Sequence, residues 1–169
     1  MTGAVDFPLA HPTKNFEEQR MRMTDKKLKI YIFYCSNNFN IDEFNTLFSQ
    51  KTGDEHKIIS LPCAGKADIL YFLKAFETGA DGLVLISCSR NECRYLEGNL
   101  RAPRRAQKVN KILEEIGMGN ERIVVLCTNG GGIESIVSKV TEFRDKIRNM
   151  ALNLQNNPIA KTAVNASRF

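Results

Sequence analysis

The sequence predicts an α/β fold: a flavodoxin-like open parallel sheet of about four strands with helices on both faces. Short apolar runs rich in β-branched and aromatic residues alternate with longer segments whose apolar residues recur every three to four positions. The runs are apolar almost throughout, as expected of parallel strands that are buried on both faces. The length of 169 residues suits one such domain with short tails.

The first strand is predicted at residues 28–34 (LKIYIFY), a run that is apolar except for Lys29 near its start. Cys35 follows this strand directly. Asn40 and Glu43 have the spacing of an N-cap and its capping-box partner, so a helix is expected to begin after Asn40. Its apolar stripe consists of Ile41, Phe44, Leu47 and Phe48.

The second strand is predicted at residues 57–61 (KIISL) and ends at Pro62 and Cys63. The third is predicted at residues 83–87 (LVLIS), which is the most apolar run and ends at Cys88. The helix between these strands is expected to stop at Gly79, because glycine readily adopts the left-handed backbone that terminates helices. The apolar stripe of that helix consists of Ile69, Leu70, Leu73 and Phe76.

The fourth strand is predicted at residues 122–126 (RIVVL) and ends at Cys127. The preceding helix is expected to follow a loop that extends to about Ala102, with Pro103 as its first residue. The run at 128–132 (TNGGG) could cradle an anion, but it lacks the fingerprints of nucleotide-binding loops, so a turn or a docking loop is favoured. The last helix carries an apolar stripe of Ile136, Val140, Phe143 and Ile147.

Four such units with right-handed connections favour the strand order 2-1-3-4. Residues 1–27 are polar and lack sustained periodicity, which predicts an N-terminal extension. Residues 28–150 form the predicted folded domain, and the Asn-rich residues 151–169 form a predicted C-terminal tail. The sequence contains neither a long apolar run nor a secretory signal, so a cytoplasmic protein without a membrane span is expected.

The formal net charge of +5 comes from 24 Lys and Arg against 19 Asp and Glu. Five basic residues and no acid lie between residues 98 and 113, and the rest of the chain is balanced. One basic helix face argues against nucleic-acid binding, which usually involves a broad basic surface. This face is either a solvated helix surface or a docking face for an acidic partner protein. Its residues are Arg101, Arg104, Arg105, Lys108 and Lys111.

Five cysteines make an odd number, which fits poorly with a disulfide framework. Ligands of open α/β sheets bind beyond the carboxyl ends of the strands, near the point where the strand order reverses. Four cysteines follow the first three strands and are expected to converge there: Cys35, Cys63, Cys88 and Cys93. Converging thiols suggest either a zinc site or an iron–sulfur cluster, with small buried residues as the structural alternative. Well-separated thiols favour a [2Fe–2S] cluster over zinc, since only Cys88 and Cys93 form a near pair.

Three sequence motifs carry a specific resemblance. They are residues 61–66 (LPCAGK), residues 75–82 (AFETGADG) and residues 88–99 (CSRNECRYLEGN). They resemble the LPC-x-G-R/K, AFE-x-GADG and C-x4-C-H/R-Y-x-x-GN motifs of the hydrogenase iron–sulfur subunit family, also called the methyl-viologen-reducing hydrogenase delta subunit family. The match continues through Arg104-Arg105, the LEEIG stretch at 113–117 and Glu121-Arg122, so it covers about residues 28–150.

The resemblance implies an electron-transfer subunit that carries a [2Fe–2S] cluster within a hetero-oligomeric complex. Its donor would be an oxidoreductase of the hydrogenase or formate dehydrogenase type, and its acceptor a flavin-containing heterodisulfide-reductase-like subunit. The implied ligands are Cys35, Cys63, Cys88 and Cys93. Many members have a further cysteine three residues after the first, where this chain has Asn38. If that thiol is needed, either Cys127 is the substitute ligand or the cluster is lost.

Other residues near the cysteines have two interpretations each. Three cations either tune the potential of a cluster or are exposed loop charges: Lys66, Arg90 and Arg94. Tyr95 either caps the cluster or is a buried loop aromatic. Gly65 and Gly98 are expected to supply backbone conformations that other residues avoid.

No set of residues predicts independent substrate chemistry. His11 lies in the predicted extension, His56 precedes the second strand, and the Glu114-Glu115 pair lies on a helix surface. An alternative function is therefore a non-catalytic adaptor or regulatory domain of a redox complex, with zinc or no metal. The donor and acceptor stay open, and complexes of the methylene-tetrahydrofolate reductase type are among the candidates.

Overall fold

The computed structural model describes residues 27–37, 39–51, 53–89, 91–128 and 131–156. Strands and helices alternate along these ranges. They are β1 (Lys29–Cys35), α1 (Ile41–Lys51), β2 (Glu55–Leu61), α2 (Ile69–Glu77), β3 (Gly82–Ser87), α3 (Gly98–Glu115), β4 (Ile123–Cys127) and α4 (Gly132–Asn156). A 3₁₀ turn at Ala64–Lys66, which was not predicted, separates β2 from α2. Most of the predicted terminal segments lie outside the described residues, and α4 continues past residue 150.

The strands form one parallel sheet in the order β2-β1-β3-β4, which confirms the predicted topology. Cys35 at the end of β1 lies opposite Leu61 at the end of β2. Ser87 at the end of β3 lies opposite Cys127 at the end of β4. The carboxyl ends of all four strands therefore meet at one edge of the sheet.

Two apolar cores lie on the two faces of this sheet. Helices α2 and α3 cover one face, where Leu83, Leu85 and Val109 are fully buried. Helices α1 and α4 cover the other face and bury the predicted stripes of both helices against β1 and β3. Every residue of β3 is buried, as its continuous apolar sequence predicts. No described helix has both the length and the apolar character that crossing a membrane requires.

The ends of two helices confirm the sequence signals. The N–H of Asp42 donates a hydrogen bond of 3.2 Å to the side-chain oxygen of Asn40, which caps α1. Gly79 follows α2 with φ +92°, a left-handed conformation that favours glycine.

The prediction for the start of α3 is wrong. The helix begins at Gly98, so Pro103 lies inside it rather than at its first position. Proline lacks an N–H and breaks one intrahelical hydrogen bond, and glycine weakens a helix, so the local sequence favours a later start. The carbonyl of Glu97 instead accepts hydrogen bonds of 3.0 Å from the N–H groups of Leu100 and Arg101. Contacts between the first turn of α3 and the cysteine loops favour this earlier start.

Candidate functional site

The four cysteines predicted to converge lie at the carboxyl edge of the sheet. Cys35 is the last residue of β1, Cys63 lies two residues beyond β2, and Cys88 directly follows β3. Cys93 lies in the loop between β3 and α3. The first three are buried and Cys93 is half-buried.

The four thiols are neighbours. Cys93 makes side-chain hydrogen-bond contacts with both Cys63 and Cys88. Cys35 interacts electrostatically with Cys63 and with Cys88. Within the described ranges, however, no three His, Cys, Asp or Glu side chains are already arranged around one point as a single-ion site.

Burial dominates the ionisation of two of these thiols. It raises the pKa of Cys88 to about 12, and the neighbouring thiol of Cys93 adds to this effect. Burial also raises the pKa of Cys63, against the opposing effect of a hydrogen bond from the N–H of Gly65. Both thiols are therefore protonated at neutral pH unless a bound metal stabilises their thiolate forms.

Backbone N–H groups point at two of the sulfurs. The N–H of Gly65 donates to Cys63 Sγ at 3.4 Å. Burial alone would raise the pKa of Cys93. The N–H groups of Asn99, Tyr95 and Gly98, together with the Cys88 thiol, outweigh this effect and lower that pKa. Two of these donors belong to the first turn of α3, where N–H groups have no intrahelical partner. Hydrogen bonds to sulfur are among the features that set the potential of iron–sulfur clusters.

Gly65 and Gly98 leave space for the cysteines and for each other. A Cβ added to Gly98 would lie 2.2 Å from Cys63 Sγ and 3.4 Å from Cys93 Sγ. A Cβ added to Gly65 would lie 2.6 Å from the Cα of Gly98. Neither glycine has a positive φ, so the expectation of an unusual backbone conformation is wrong. Both positions require glycine because the 3₁₀ turn, the start of α3 and the two sulfurs lie so close to one another that a side chain would not fit.

Asn99 connects the cysteine loop to the start of α3. Its amide Nδ2 donates to the carbonyl of Ser89 at 2.6 Å, and the hydroxyl of Ser89 donates to the carbonyl of Thr128 at 2.6 Å. The side chain of Asn99 is buried. Asn99 was not among the predicted site residues, although it belongs to the GN pair that ends the third motif.

Arg105 is a second residue whose contacts were not predicted from the sequence. Its Nη1 donates to the carbonyls of Gly65 at 2.7 Å and Ala67 at 3.0 Å. Arg105 is half-buried, whereas the other four residues of the predicted basic face are exposed. Helical spacing alone groups Arg105 with Arg104, so only the packing of α3 against the 3₁₀ turn separates them.

A cleft of about 660 Å³ opens beside Cys63. Its rim includes Tyr95, which is 56% exposed, and Leu96, which is 85% exposed with φ +67°. The side chain of Tyr95 is thus not the buried loop aromatic of the alternative interpretation. Lys66, which also lines the cleft, and Arg94 are exposed.

Three sequence predictions at this edge extend to residues outside the described ranges: Arg90, Asn38 and the central part of the run at 128–132. The candidate substitute ligand Cys127 is the half-buried last residue of β4. Cys93 and Cys35 are among the main influences on the pKa values of Cys63 and Cys88, and Cys88 is among those on the pKa of Cys93. Cys127 is not among these influences.

The donor set of this edge fits a soft-metal centre. Four neighbouring thiols can supply the ligands of an iron–sulfur cluster or of zinc. The hydrogen bonds to Cys63 and Cys93 fit a centre whose thiolates carry negative charge. The exposed Lys66 and Arg94 add positive charge nearby.

Comparisons with known proteins find relatives that are named as iron-sulfur subunits. The chain is 35% identical over 97 residues to the vhu iron-sulfur subunit of the F420-non-reducing hydrogenase of Methanocaldococcus jannaschii, a match that covers 57% of this chain and 72% of the relative. The iron-sulfur subunit of the F420-non-reducing hydrogenase of Archaeoglobus profundus is 32% identical over 94 residues, with 56% of this chain and 69% of the relative covered.

A third relative is much longer. It is a subunit of the ferredoxin:CoB-CoM heterodisulfide reductase of Methanosarcina mazei and is 30% identical over 87 residues, which is 52% of this chain but 11% of the relative. Residues 30–151 also match the sequence profile of the family described as methyl-viologen-reducing hydrogenase, delta subunit. This match covers all of the sheet except its first residue, together with all four cysteines of the site, and the chain therefore belongs to the methyl-viologen-reducing hydrogenase delta subunit family.

Proposed function

We propose that this protein is an electron-transfer subunit that holds a [2Fe–2S] cluster through Cys35, Cys63, Cys88 and Cys93. The observation that carries the proposal is the grouping of these thiols at one sheet edge, with N–H groups directed at two sulfurs. A bound cluster of this type would accept and release one electron at a time. The names of the iron-sulfur subunits that resemble this chain support iron over zinc.

The chain would bind and tune the centre without substrate chemistry of its own. Cys35, Cys63 and Cys88 are buried, which excludes water from much of the site. The N–H groups at Cys63 and Cys93 would stabilise negative charge on the sulfurs and thereby favour reduction. Lys66, Arg90 and Arg94 would contribute positive charge, and Tyr95 would cover the side of the site that faces the cleft.

As partners we propose an electron-donor oxidoreductase, of the hydrogenase or formate dehydrogenase type, and a flavin-containing heterodisulfide-reductase-like subunit in the cytoplasm. The match to part of a much longer heterodisulfide reductase chain supports the reductase partner, and the hydrogenase subunits among the relatives support a hydrogenase as the donor. The match to the longer chain shows that a related domain can be joined to such a reductase component in one chain.

The surface that would meet such a partner lies beside Cys93. We define the cysteine-end surface by the exposed Tyr95, Leu96, Leu100 and Arg104. Large apolar side chains that cluster on a surface usually mark an interaction site. A partner bound at this surface would lie close to Cys93, so the distance for electron transfer would be short. The charge of Arg104 would favour an acidic partner.

The alternative function is a non-catalytic adaptor or regulatory domain with zinc or no metal, and metal analysis distinguishes it from the proposal. The test is purification of the full chain without oxygen, followed by determination of iron, acid-labile sulfide and zinc. The proposal predicts iron and sulfide in equal amounts and a coloured protein. Stoichiometric zinc without sulfide would instead support the adaptor function.

A further inference from the structure

The 3₁₀ turn at Ala64–Lys66 is attached to α3 at two points. At the first, the backbones of Gly65 and Gly98 approach so closely that a Cβ on Gly65 would lie 2.6 Å from the Cα of Gly98. At the second, the side chain of Arg105 reaches the carbonyls of the turn. Gly98 and Arg105 are seven residues apart in α3, or about two helical turns, so they lie along the same side of the helix.

The two ends of the turn have different partners. At its beginning, Cys63 is the N-cap, and its sulfur accepts the N–H of Gly65 at 3.4 Å. Further along, the guanidinium of Arg105 donates to the carbonyl of Gly65 within the turn at 2.7 Å and to that of Ala67, directly after the turn, at 3.0 Å. Hydrogen bonds from a charged donor are among the stronger ones in proteins. A half-buried guanidinium with two main-chain acceptors therefore fixes the orientation of this turn.

Arg105 differs in this respect from its neighbours on α3. Arg104 and Lys108 are exposed, and Arg101 forms an exposed ion pair with Glu97 at 2.8 Å. Removal of any of these charges changes the net charge of the helix equally. Only removal of the Arg105 side chain also releases the turn that carries a hydrogen bond to Cys63.

We propose that Arg105 is a positioning residue that holds the turn so that the N–H of Gly65 stays on the Cys63 sulfur, and that it thereby raises the reduction potential of the bound centre. This inference rests on the proposed function, because it assigns a potential to the centre that Cys63 would help to hold. Two effects act in the same direction. Loss of the N–H bond and loss of the nearby positive charge both disfavour the reduced, more negative state.

The test compares three variants of the full chain: Arg105→Gln, Arg105→Lys and Lys108→Gln. Arg105→Gln removes the charge and the long reach of the guanidinium. Arg105→Lys keeps the charge on a shorter side chain that lacks the planar fork of donors. Lys108→Gln removes one charge from an exposed position of the same helix and is the matched control.

The first readout is a reduction titration followed by electron paramagnetic resonance. We expect Arg105→Gln to shift the ratio of reduced to oxidised centre about tenfold towards the oxidised form, equivalent to about 59 mV for a one-electron couple. Arg105→Lys should give a smaller shift in the same direction, and Lys108→Gln a potential close to that of the unmodified chain. Equal potentials for Arg105→Gln and Lys108→Gln would overturn the inference.

The second readout is amide hydrogen exchange at residues 65–67 in the metal-free chain, so it does not depend on the cluster. We expect exchange in Arg105→Gln to be faster by at least about tenfold, because the turn opens more often without its anchor, and to be unchanged in Lys108→Gln. Unchanged exchange in Arg105→Gln would contradict the positioning role. If the unmodified chain contains no iron or sulfide, the proposed function fails, and this readout alone decides whether Arg105 holds the turn.

Discussion

The sulfur of Cys63 occupies the space in which a side chain at position 98 would begin. A Cβ on Gly98 would lie 2.2 Å from Cys63 Sγ, closer than any ordinary contact between such atoms. The same Cβ would lie 3.4 Å from Cys93 Sγ. The first residue of α3 thus lies against two thiols of the site, and its lack of a side chain allows both to stay there.

Gly98→Ala is therefore expected to displace the Cys63 sulfur and impair metal binding. Overpacking of this kind usually destabilises a protein by about 1–3 kcal/mol. Urea denaturation should show this loss, and iron analysis after reconstitution should show a lower content. Gly53→Ala is the matched control, because a Cβ at Gly53 would meet no atom within 4 Å. Normal iron content in Gly98→Ala would show that the site does not depend on this fit.

The four thiols are predicted to differ from Cys127 in their effect on the centre. Cys35→Ser should remove most of the bound iron, because the hydroxyl of serine is a harder and less acidic ligand than a thiol. Cys127→Ser should retain the iron and the spectrum of the unmodified chain, since Cys127 is not among the main interaction partners of the other thiols. Iron content and visible absorption measure both effects. The reverse result would make Cys127 the fourth ligand in place of Cys35.

The sheet and the approximate location of the site could be predicted from local patterns. The apolar run of β3 predicts that this strand is buried on both faces. Parallel strands place Cys35, Cys63 and Cys88 at the same edge of the sheet, whatever the details of side-chain packing. The start of α3 could not be predicted this way. Gly98 and Pro103 both disfavour a helix locally, and the contacts of the first turn with Cys63 and Cys93 outweigh that preference.

The sequence pattern also could not predict that Arg104 is exposed whereas Arg105 binds main-chain carbonyls. The two are adjacent on α3, and helical periodicity assigns both to one basic face. The carbonyls that Arg105 binds belong to Gly65 in the 3₁₀ turn and to Ala67 directly after it, and this turn carries no clear sequence signal. Its half-buried position depends on a contact between distant segments, which a local pattern does not contain.

Leu96 is predicted to contribute to partner binding through the cysteine-end surface. It is 85% exposed and has φ +67°, a conformation that asparagine tolerates better than leucine. Leu96→Asn should therefore keep the stability of the isolated chain. It should also weaken, by about tenfold or more, the affinity for the heterodisulfide-reductase-like partner, as losses at interface anchors do.

Binding of the purified proteins by calorimetry measures this effect. Ile116→Asn is the control, because Ile116 is 63% exposed at the opposite end of α3. Equal affinities of Leu96→Asn and the unmodified chain would exclude Leu96 from the interface.

Asn110 is predicted to stabilise the edge strand β4. Its side chain accepts from the N–H of Ile123 and donates to the carbonyl of Ile123, both at 3.0 Å. Asn110→Ala should lower the free energy of unfolding by about 1–3 kcal/mol, because it leaves partly buried backbone groups without these bonds. Urea denaturation measures the change, and Gln107→Ala, at an exposed position of the same helix, should leave stability nearly unchanged. A smaller loss in Asn110→Ala than in Gln107→Ala would contradict the assignment.

The presence of a [2Fe–2S] centre is tested by electron paramagnetic resonance of the full chain, purified or reconstituted without oxygen, during reduction. A [2Fe–2S] centre held by Cys35, Cys63, Cys88 and Cys93 predicts about two iron atoms and two sulfides per chain. It also predicts one paramagnetic signal that appears with the uptake of one electron per chain. A colourless chain that stays free of iron after reconstitution, and shows no signal on reduction, would contradict the account.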